Sequence, residues 1–376
     1  MPQRFHSTKP IVALLALLAL ACSVELALRA SGFEYPPAGE RHILWNRQID
    51  RAMRDGTSSY RCDDAELWSP RPGARVPWSH GERINHDGYR GPAIPVSRAA
   101  SALGMPPVLR IVALGGSAAC GRGVAYDDAY PAQLERVLAR HGVRCEVQYG
   151  AVENTTIAQG LERYRRLFRK YKPDIVISAF SGDEEHDPAP SAISDARRMA
   201  SRRATAKDFS LARTLRRECR LVQLPIWIAR TIDGSYWEER AYDFEARRNW
   251  DESAWTHSPI VRRVAPDEFE EALRVMDQEV WRDGAHLILV SIPRTLDARS
   301  YCDAVQAYDD ALRDFSDRHN VTYVSCRDLV RCAMSEGASP ANPLSNSEHA
   351  ISECIHERLG EALAQAILVW QGDVAR

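Results

Sequence analysis

Val108-Leu-Arg-Ile-Val-Ala-Leu-Gly-Gly-Ser117 decides the fold. Seven residues, apolar but for Arg110, read as a buried strand that breaks at two glycines and hands directly to a serine. Such an end holds a hydroxyl at the edge of a sheet. The segment from Tyr126 to His141 reads as a helix, which places Ser117 close to a helix N-terminus. Free backbone N–H groups there stabilise a developing oxyanion.

Working outward, strands and helices alternate. Apolar, β-rich runs lie at Val108–Leu114, Cys145–Tyr149, Asp174–Phe180, His286–Ile292 and Val321–Val324. Helical spacing occupies Tyr130–His141, Ile157–Tyr171, Pro266–Asp283, Tyr301–His319 and Ile351–Gln371. Nearly unbroken apolar strands between helices imply a parallel sheet covered on both faces. The expected fold is α/β, a flavodoxin-like three-layer α/β/α sandwich of about five parallel strands. Its site belongs at the C-terminal strand edge, where Ser117, Gly150 and Asp183 all follow strands.

The chain has 376 residues, 45% of them hydrophobic, enough for one elaborated α/β domain and a tail. A net charge of −2 supplies no general attraction for nucleic acid, and none is expected as a partner. The nine cysteines form no CxxC pair and no zinc-ligand spacing. In an oxidising compartment some would pair, with Cys326 and Cys332 the closest two in sequence among those considered.

Residues 1–31 read as a signal sequence or membrane anchor. Arg4, His6 and Lys9 precede an uncharged run from Ile11 to Val24. Three fates are open: cleavage after Ala21, lipidation of Cys22, or retention as an anchor extending to Leu28. The expectation is a single-pass inner-membrane protein with a periplasmic domain, with secretion to the periplasm after cleavage as the alternative. Residues 32–107 form a loop-rich arm rich in Pro, Gly, Arg and Asp. Residues 108–376 form the α/β domain, broken by an insertion at about 188–264. Between Arg197 and Arg230 the insertion has ten Lys or Arg against two acids. Its second part is aromatic, with Tyr236, Trp237, Tyr242, Phe244, Trp250 and Trp255. It reads either as a basic helix with a small satellite core or as a cap offering aromatic faces to sugar rings.

Four separated blocks line up along the domain: Gly115-Gly-Ser-Ala-Ala-Cys-Gly121, Tyr149-Gly150, Phe180-Ser-Gly-Asp-Glu184 and Asn346-Ser-Glu-His349. In this order they resemble the blocks of the SGNH (GDSL-type) hydrolases, a superfamily of esterases and lipases. In the arm, Leu67-Trp-Ser-Pro-Arg-Pro-Gly73 and Ile84-Asn-His-Asp-Gly-Tyr-Arg-Gly91 resemble the membrane-anchored bacterial members, as does Arg263-Val-Ala-Pro-Asp-Glu-Phe269. The resemblance covers Leu67 to Gln371 apart from the insertion.

The resemblance implies that Ser117 is a nucleophile, that His349 is its base, and that backbone N–H groups of Ser117 and Gly150 receive the oxyanion. It also marks two departures. The third oxyanion donor, Asn in the family, is Asp183 here, and loss of one donor elsewhere costs about 10²–10³ in rate. The family's Asp, three residues before the His, is Asn346, which orients an imidazole without supplying charge. The matching change in serine proteases costs roughly 10⁴ in turnover. The implied substrate is an ester, the O-acyl group of a glycan among the choices. A pseudoenzyme that binds glycan or serves assembly is the alternative, and a glycan O-acyltransferase is a variant of the enzyme. No cofactor and no metal are expected. Asp183-Glu-Glu-His-Asp187 reads as a solvated acidic loop, with metal binding the other reading. His356, preceded by Glu353, competes with His349 for the role of base but falls inside the last helix. Cys120 reads as packing.

Overall fold

The computed structural model describes residues 9–35, 52–53, 56–76, 81–98, 108–182, 184–187, 189, 192–206, 211–238, 240, 261–292, 299–336 and 352–374. Asp183, Asn346 and His349 lie outside the described residues, as do Tyr242, Phe244, Trp250 and Trp255. The chain divides into two compact units, one of residues 1–41 with 200–245, the other of 42–199 with 246–376.

The larger unit opens with the arm, whose strands β1 (Tyr60–Asp63) and β2 (Leu67–Pro70) form an antiparallel hairpin. The domain follows as β3 (Leu109–Gly115), α2 (Tyr130–Arg140), β4 (Cys145–Tyr149), α3 (Ile157–Arg163) and β5 (Ile175–Ala179). Helix α3 runs on through a π turn, Tyr164–Phe168, and a 3-10 turn to Tyr171. Helices α4 (Asp195–Ala206), α5 (Leu211–Glu218) and α6 (Arg220–Ile232) make up the described part of the insertion. Then come α7 (Pro266–Arg282), β6 (His286–Ser291), α8 (Arg299–His319), β7 (Thr322–Ser325), α9 (Cys326–Ser335) and α10 (Glu353–Val374).

Strands β3 to β7 form one parallel sheet in the order β4-β3-β5-β6-β7. That order is 2-1-3-4-5, the flavodoxin-like arrangement expected from the alternation. Side chains alternate between the two faces. Ile111, Ala113, Ile175, Ile177, Ile288 and Val290 face a core closed by α2, α9 and α10. Val112, Leu114, Val176, Leu287 and Leu289 face a second core closed by α3, α7 and α8. A strand buried on both faces has no polar side to show, which is why these runs read as continuous apolar segments. Gly360 lets α10 lie against α2: a Cβ there would come within 2.6 Å of Gln133 Cβ and 3.0 Å of the Leu134 nitrogen.

Cys326 and Cys332, the closest two in sequence, are both free thiols on α9, the first buried and the second exposed. One expectation is corrected here. Ser117 is not at a helix start. It enters a run of turns to Gly123, then a 3-10 turn at Tyr126–Asp128, and α2 begins only at Tyr130. The apolar periodicity of α2 is real, but Gly121 and Gly123, both at positive φ, keep the chain irregular before it.

In the smaller unit, α1 (Lys9–Ala30) is 22 residues long and buries none of them. Among the described residues it is the helix long and apolar enough to cross a membrane. Helix α6 packs on its C-terminal end, with the Trp227 ring edge-on to Phe33 at 5.8 Å.

His356, in the first turn of α10, is fully buried. Its Nδ1 accepts the Tyr130 N–H at 3.2 Å, and its ring stacks on the Tyr130 ring. Burial, with the Arg90 cation adding to it, pushes its pKa down to about 3. It is a neutral core histidine, buried from the first turn of the helix. The unfolded chain takes up a proton at this side chain below pH of about 6.5 that the folded chain refuses down to about 3. The thermal midpoint of the full-length protein should therefore fall as pH is lowered from 7 to 4.5. His356→Gln, which keeps an acceptor, should flatten that fall in circular-dichroism melts.

Candidate functional site

In a 2-1-3-4-5 sheet the chain leaves the first strand in opposite directions, and a crevice opens at the carboxyl ends where it does so. Here that point is the end of β3, between β4 and β5. The loops after these three strands bring Ser117, Asn154 and Glu184 together.

Ser117 is 5% exposed. Its Oγ accepts the Asn154 N–H at 2.9 Å, and its own N–H donates to Glu184 Oε1 at 2.6 Å. The double glycine has a steric explanation. A Cβ on Gly116 would sit 2.2 Å from Glu184 Oε2, and one on Gly115 would sit 2.7 Å from the Ala179 carbonyl oxygen on β5. The missing side chains admit a carboxylate against the serine amide and let two strand ends close up.

Gly150 does not take the role expected of it. Its N–H donates to the Ala113 carbonyl at 2.8 Å and continues the β3–β4 ladder. The amide aimed at the serine oxygen is four residues on, at Asn154, whose backbone is left-handed with φ 58°. Asn tolerates that region better than most side chains, because its amide bonds locally. Asn154 and Glu184 are the residues that sequence reasoning missed. The available signal was Thr156 with Gln159: they form a capping box that starts α3 and so bounds the loop at Asn154.

Three buried arginines hold this loop cluster. Arg90, from the arm, donates to the carbonyls of Cys120, Gly121 and Val124 and pairs with Glu82 through two nitrogens. Arg163 donates to the Gly150 and Gly88 carbonyls and pairs with Glu66 at 3.0 Å. Arg263 donates to the Asn154 carbonyl at 2.8 Å, to Gln159, and to Asp195 Oδ2 through Nε and Nη2. Arg90 and Arg263 lie in segments whose resemblance to anchored hydrolases is noted above. Their structural work is to fix the backbone around Ser117.

The acidic run after β5 is not a solvated loop. Glu184, Glu185, His186 and Asp187 are all buried. They also diverge. Glu185 accepts the Ile157 N–H at the start of α3 (2.8 Å) and the Gly182 N–H (3.1 Å), while Arg262 donates to His186 Nε2 at 2.7 Å. Among the described residues no group of three or more His, Cys, Asp or Glu is placed to hold a metal. Burial, with the adjacent Glu184 charge, pushes the Glu185 carboxyl up to about 8. Cys120 is buried and donates its S–H to the Ser117 carbonyl oxygen (3.1 Å); burial raises its pKa well above the usual thiol range, which keeps it protonated.

No family model and no curated protein matches the chain. Among solved structures it is similar to one described as a lipolytic protein of the G-D-S-L family from Desulfitobacterium hafniense, with 11% identity over 68% of this chain and 98% of that one, TM-score 0.41. It is also similar to a lipase/acylhydrolase from Enterococcus faecalis, with 16% identity over 69% and 95%, TM-score 0.41. A third is a Trp-to-Ile variant of an acetyl xylan esterase from Geobacillus stearothermophilus, with 14% identity over 69% and 94%, TM-score 0.42.

Arg90 offers a direct check on the loop clamp. Arg90→Lys keeps the charge but not the fork that reaches three carbonyls and a carboxylate. It should lower the denaturation midpoint and raise amide exchange across Ser117–Val124, measured by hydrogen–deuterium exchange, while leaving exchange in β6 unchanged.

Proposed function

We propose that this chain is an exported SGNH-type hydrolase, anchored in the inner membrane through α1, that cleaves ester bonds by way of an acyl-enzyme on Ser117. The observation that carries the reading is the paired use of Ser117: a buried hydroxyl that already receives one backbone N–H, beside an amide that already binds an anionic oxygen. In this scheme His349 takes the Oγ proton as Oγ bonds to the acyl carbon. The tetrahedral oxyanion is received by the Ser117 N–H, which Glu184 must first vacate, and by the Asn154 N–H as it leaves Oγ. The bond to the alcohol breaks, and the alcohol leaves with the proton returned by His349. Water then attacks the acyl-enzyme by the same route, releasing the acid and restoring the serine. Asn346 orients the imidazole through its amide oxygen. Asp183, standing where the family has Asn, supplies no donor while ionised. O-acyl groups of a glycan are the proposed substrates. That choice rests on the exported placement and on the aromatic insertion, and transfer of the acyl group to a sugar hydroxyl in place of water gives the acyltransferase variant.

A second reading has its own observation. Glu184 occupies the Ser117 amide, so the anion cradle is filled from within. A protein that retained the fold for glycan binding or assembly, with its chemistry lost, would be built this way.

Activity-based labelling separates the two. On the enzyme reading, full-length protein reacts at Ser117 with a fluorophosphonate, and Ser117→Ala loses about 10³-fold or more of its turnover of a chromogenic acetyl ester. Glu184→Ala, which vacates the cradle, should speed labelling. Wild type and Glu184→Ala that both stay unlabelled, with a folded circular-dichroism spectrum, would establish the pseudoenzyme.

A further inference from the structure

Helix α6 is Arg220-Leu-Val-Gln-Leu-Pro-Ile-Trp-Ile-Ala-Arg-Thr-Ile232, and from Leu221 to Ala229 it carries no charge. Its one buried residue is Gln223, the reverse of a core helix. Ile226, Ile228 and Ile232 are exposed, Ile232 at 81%, and Trp237 just beyond is 59% exposed. On α5, Leu211 and Leu215 share one face at i, i+4 spacing, and Leu211 is 74% exposed. Soluble surfaces rarely leave so much contiguous apolar side chain in water.

What covers it is indicated by the helix it packs on. Glu25 lies inside α1, five residues before its end, at a depth of about 8 Å from that end at 1.5 Å per residue. A carboxylate at that level of an apolar helix needs partners. The start of α6 supplies them: Glu25 accepts the Arg220 N–H at 3.1 Å and the Leu221 N–H at 2.9 Å, with Arg29 closing the pair at 2.7 Å. Arg29 also donates to the Glu218 carbonyl, and the Tyr35 N–H donates to Gln223. The polar atoms of the junction are thus paired inward, and the apolar ones are left outward on both helices. Thirteen residues span about 20 Å, too short to cross a hydrocarbon core of about 30 Å.

We propose that α6 is seated in the phospholipid bilayer beside the outer end of α1, its exposed isoleucines in the boundary between headgroups and acyl chains. A helix so placed buries its apolar face about 5–10 Å deep, which matches the level at which Glu25 ties α6 to α1. The proposal rests on the anchored reading of α1, and it adds a second membrane element drawn from the insertion, some two hundred residues downstream.

The experiment uses the full chain reconstituted in vesicles of phosphatidylcholine and phosphatidylglycerol. p-Benzoylphenylalanine replaces Ile228 or Ile232, with Leu17 on α1 as the positive position and Glu271, exposed on α7, as the negative one. After irradiation, intact-mass analysis should find phospholipid adducts at positions 228 and 232, about tenfold above position 271. Adducts at position 17 but none at 228 or 232, in a chain whose mass still includes residues 1–30, overturn the seating of α6 and leave the anchor standing. Cross-links from 228 or 232 to a second copy or another protein in place of lipid overturn it as well. A mature chain lacking residues 1–21 overturns the anchored reading and this proposal with it.

Discussion

The site depends on buried guanidinium groups bonded to backbone carbonyls. Arg90, Arg163 and Arg263 each pair with a carboxylate, and each spends its remaining donors on the loops that surround Ser117. Loops at the end of a parallel sheet have no ladder to satisfy their carbonyls, and a buried carbonyl without a donor is costly. A planar five-donor cation answers several of them at once, and its paired acid offsets the charge. This explains why an arm with so little secondary structure matters: through Arg90 it completes the hydrogen bonding of the turns behind the serine.

Within that frame the carboxylate of Glu184 takes the Ser117 amide, in space opened by the absence of a side chain on Gly116. Its neighbour Glu185 is turned the other way, onto the first amide of α3, where the helix dipole favours an acid. Two successive carboxylates thus occupy two separate anion positions. Burial, with the neighbouring Glu184 adding to it, pushes the Glu185 carboxyl up to about 8.

The strands were legible because they are buried on both faces, Ile177 toward one core and Val112 and Leu289 toward the other, and so leave unbroken apolar runs. Helices α2, α3, α7, α8 and α10 were legible from apolar spacing, whereas α9, short and starting directly from β7, has no helix read for it in the sequence. Ser117 was visible because a serine after a double glycine is a local event. Asn154 was not, since nothing in one sequence tells which of several loop amides turns toward a distant hydroxyl; Gly150 looked suitable and is consumed by the ladder. The acidic run misled for the opposite reason. Charge density suggests solvent, and only the tertiary fold supplies the amides and Arg262 that let Glu185 and His186 go inside.

The hydrogen bond from the Ser117 amide to Glu184 joins residues 67 positions apart. Its parts reach the folding chain at different times. The serine turn can form with β3, but its acceptor arrives only after β5 has been laid down. Closing so long a loop is paid in chain entropy before any contact rewards it. The turn at Ser117 therefore gains its acceptor from much farther along the chain than the β1–β2 hairpin of the arm gains its own partners.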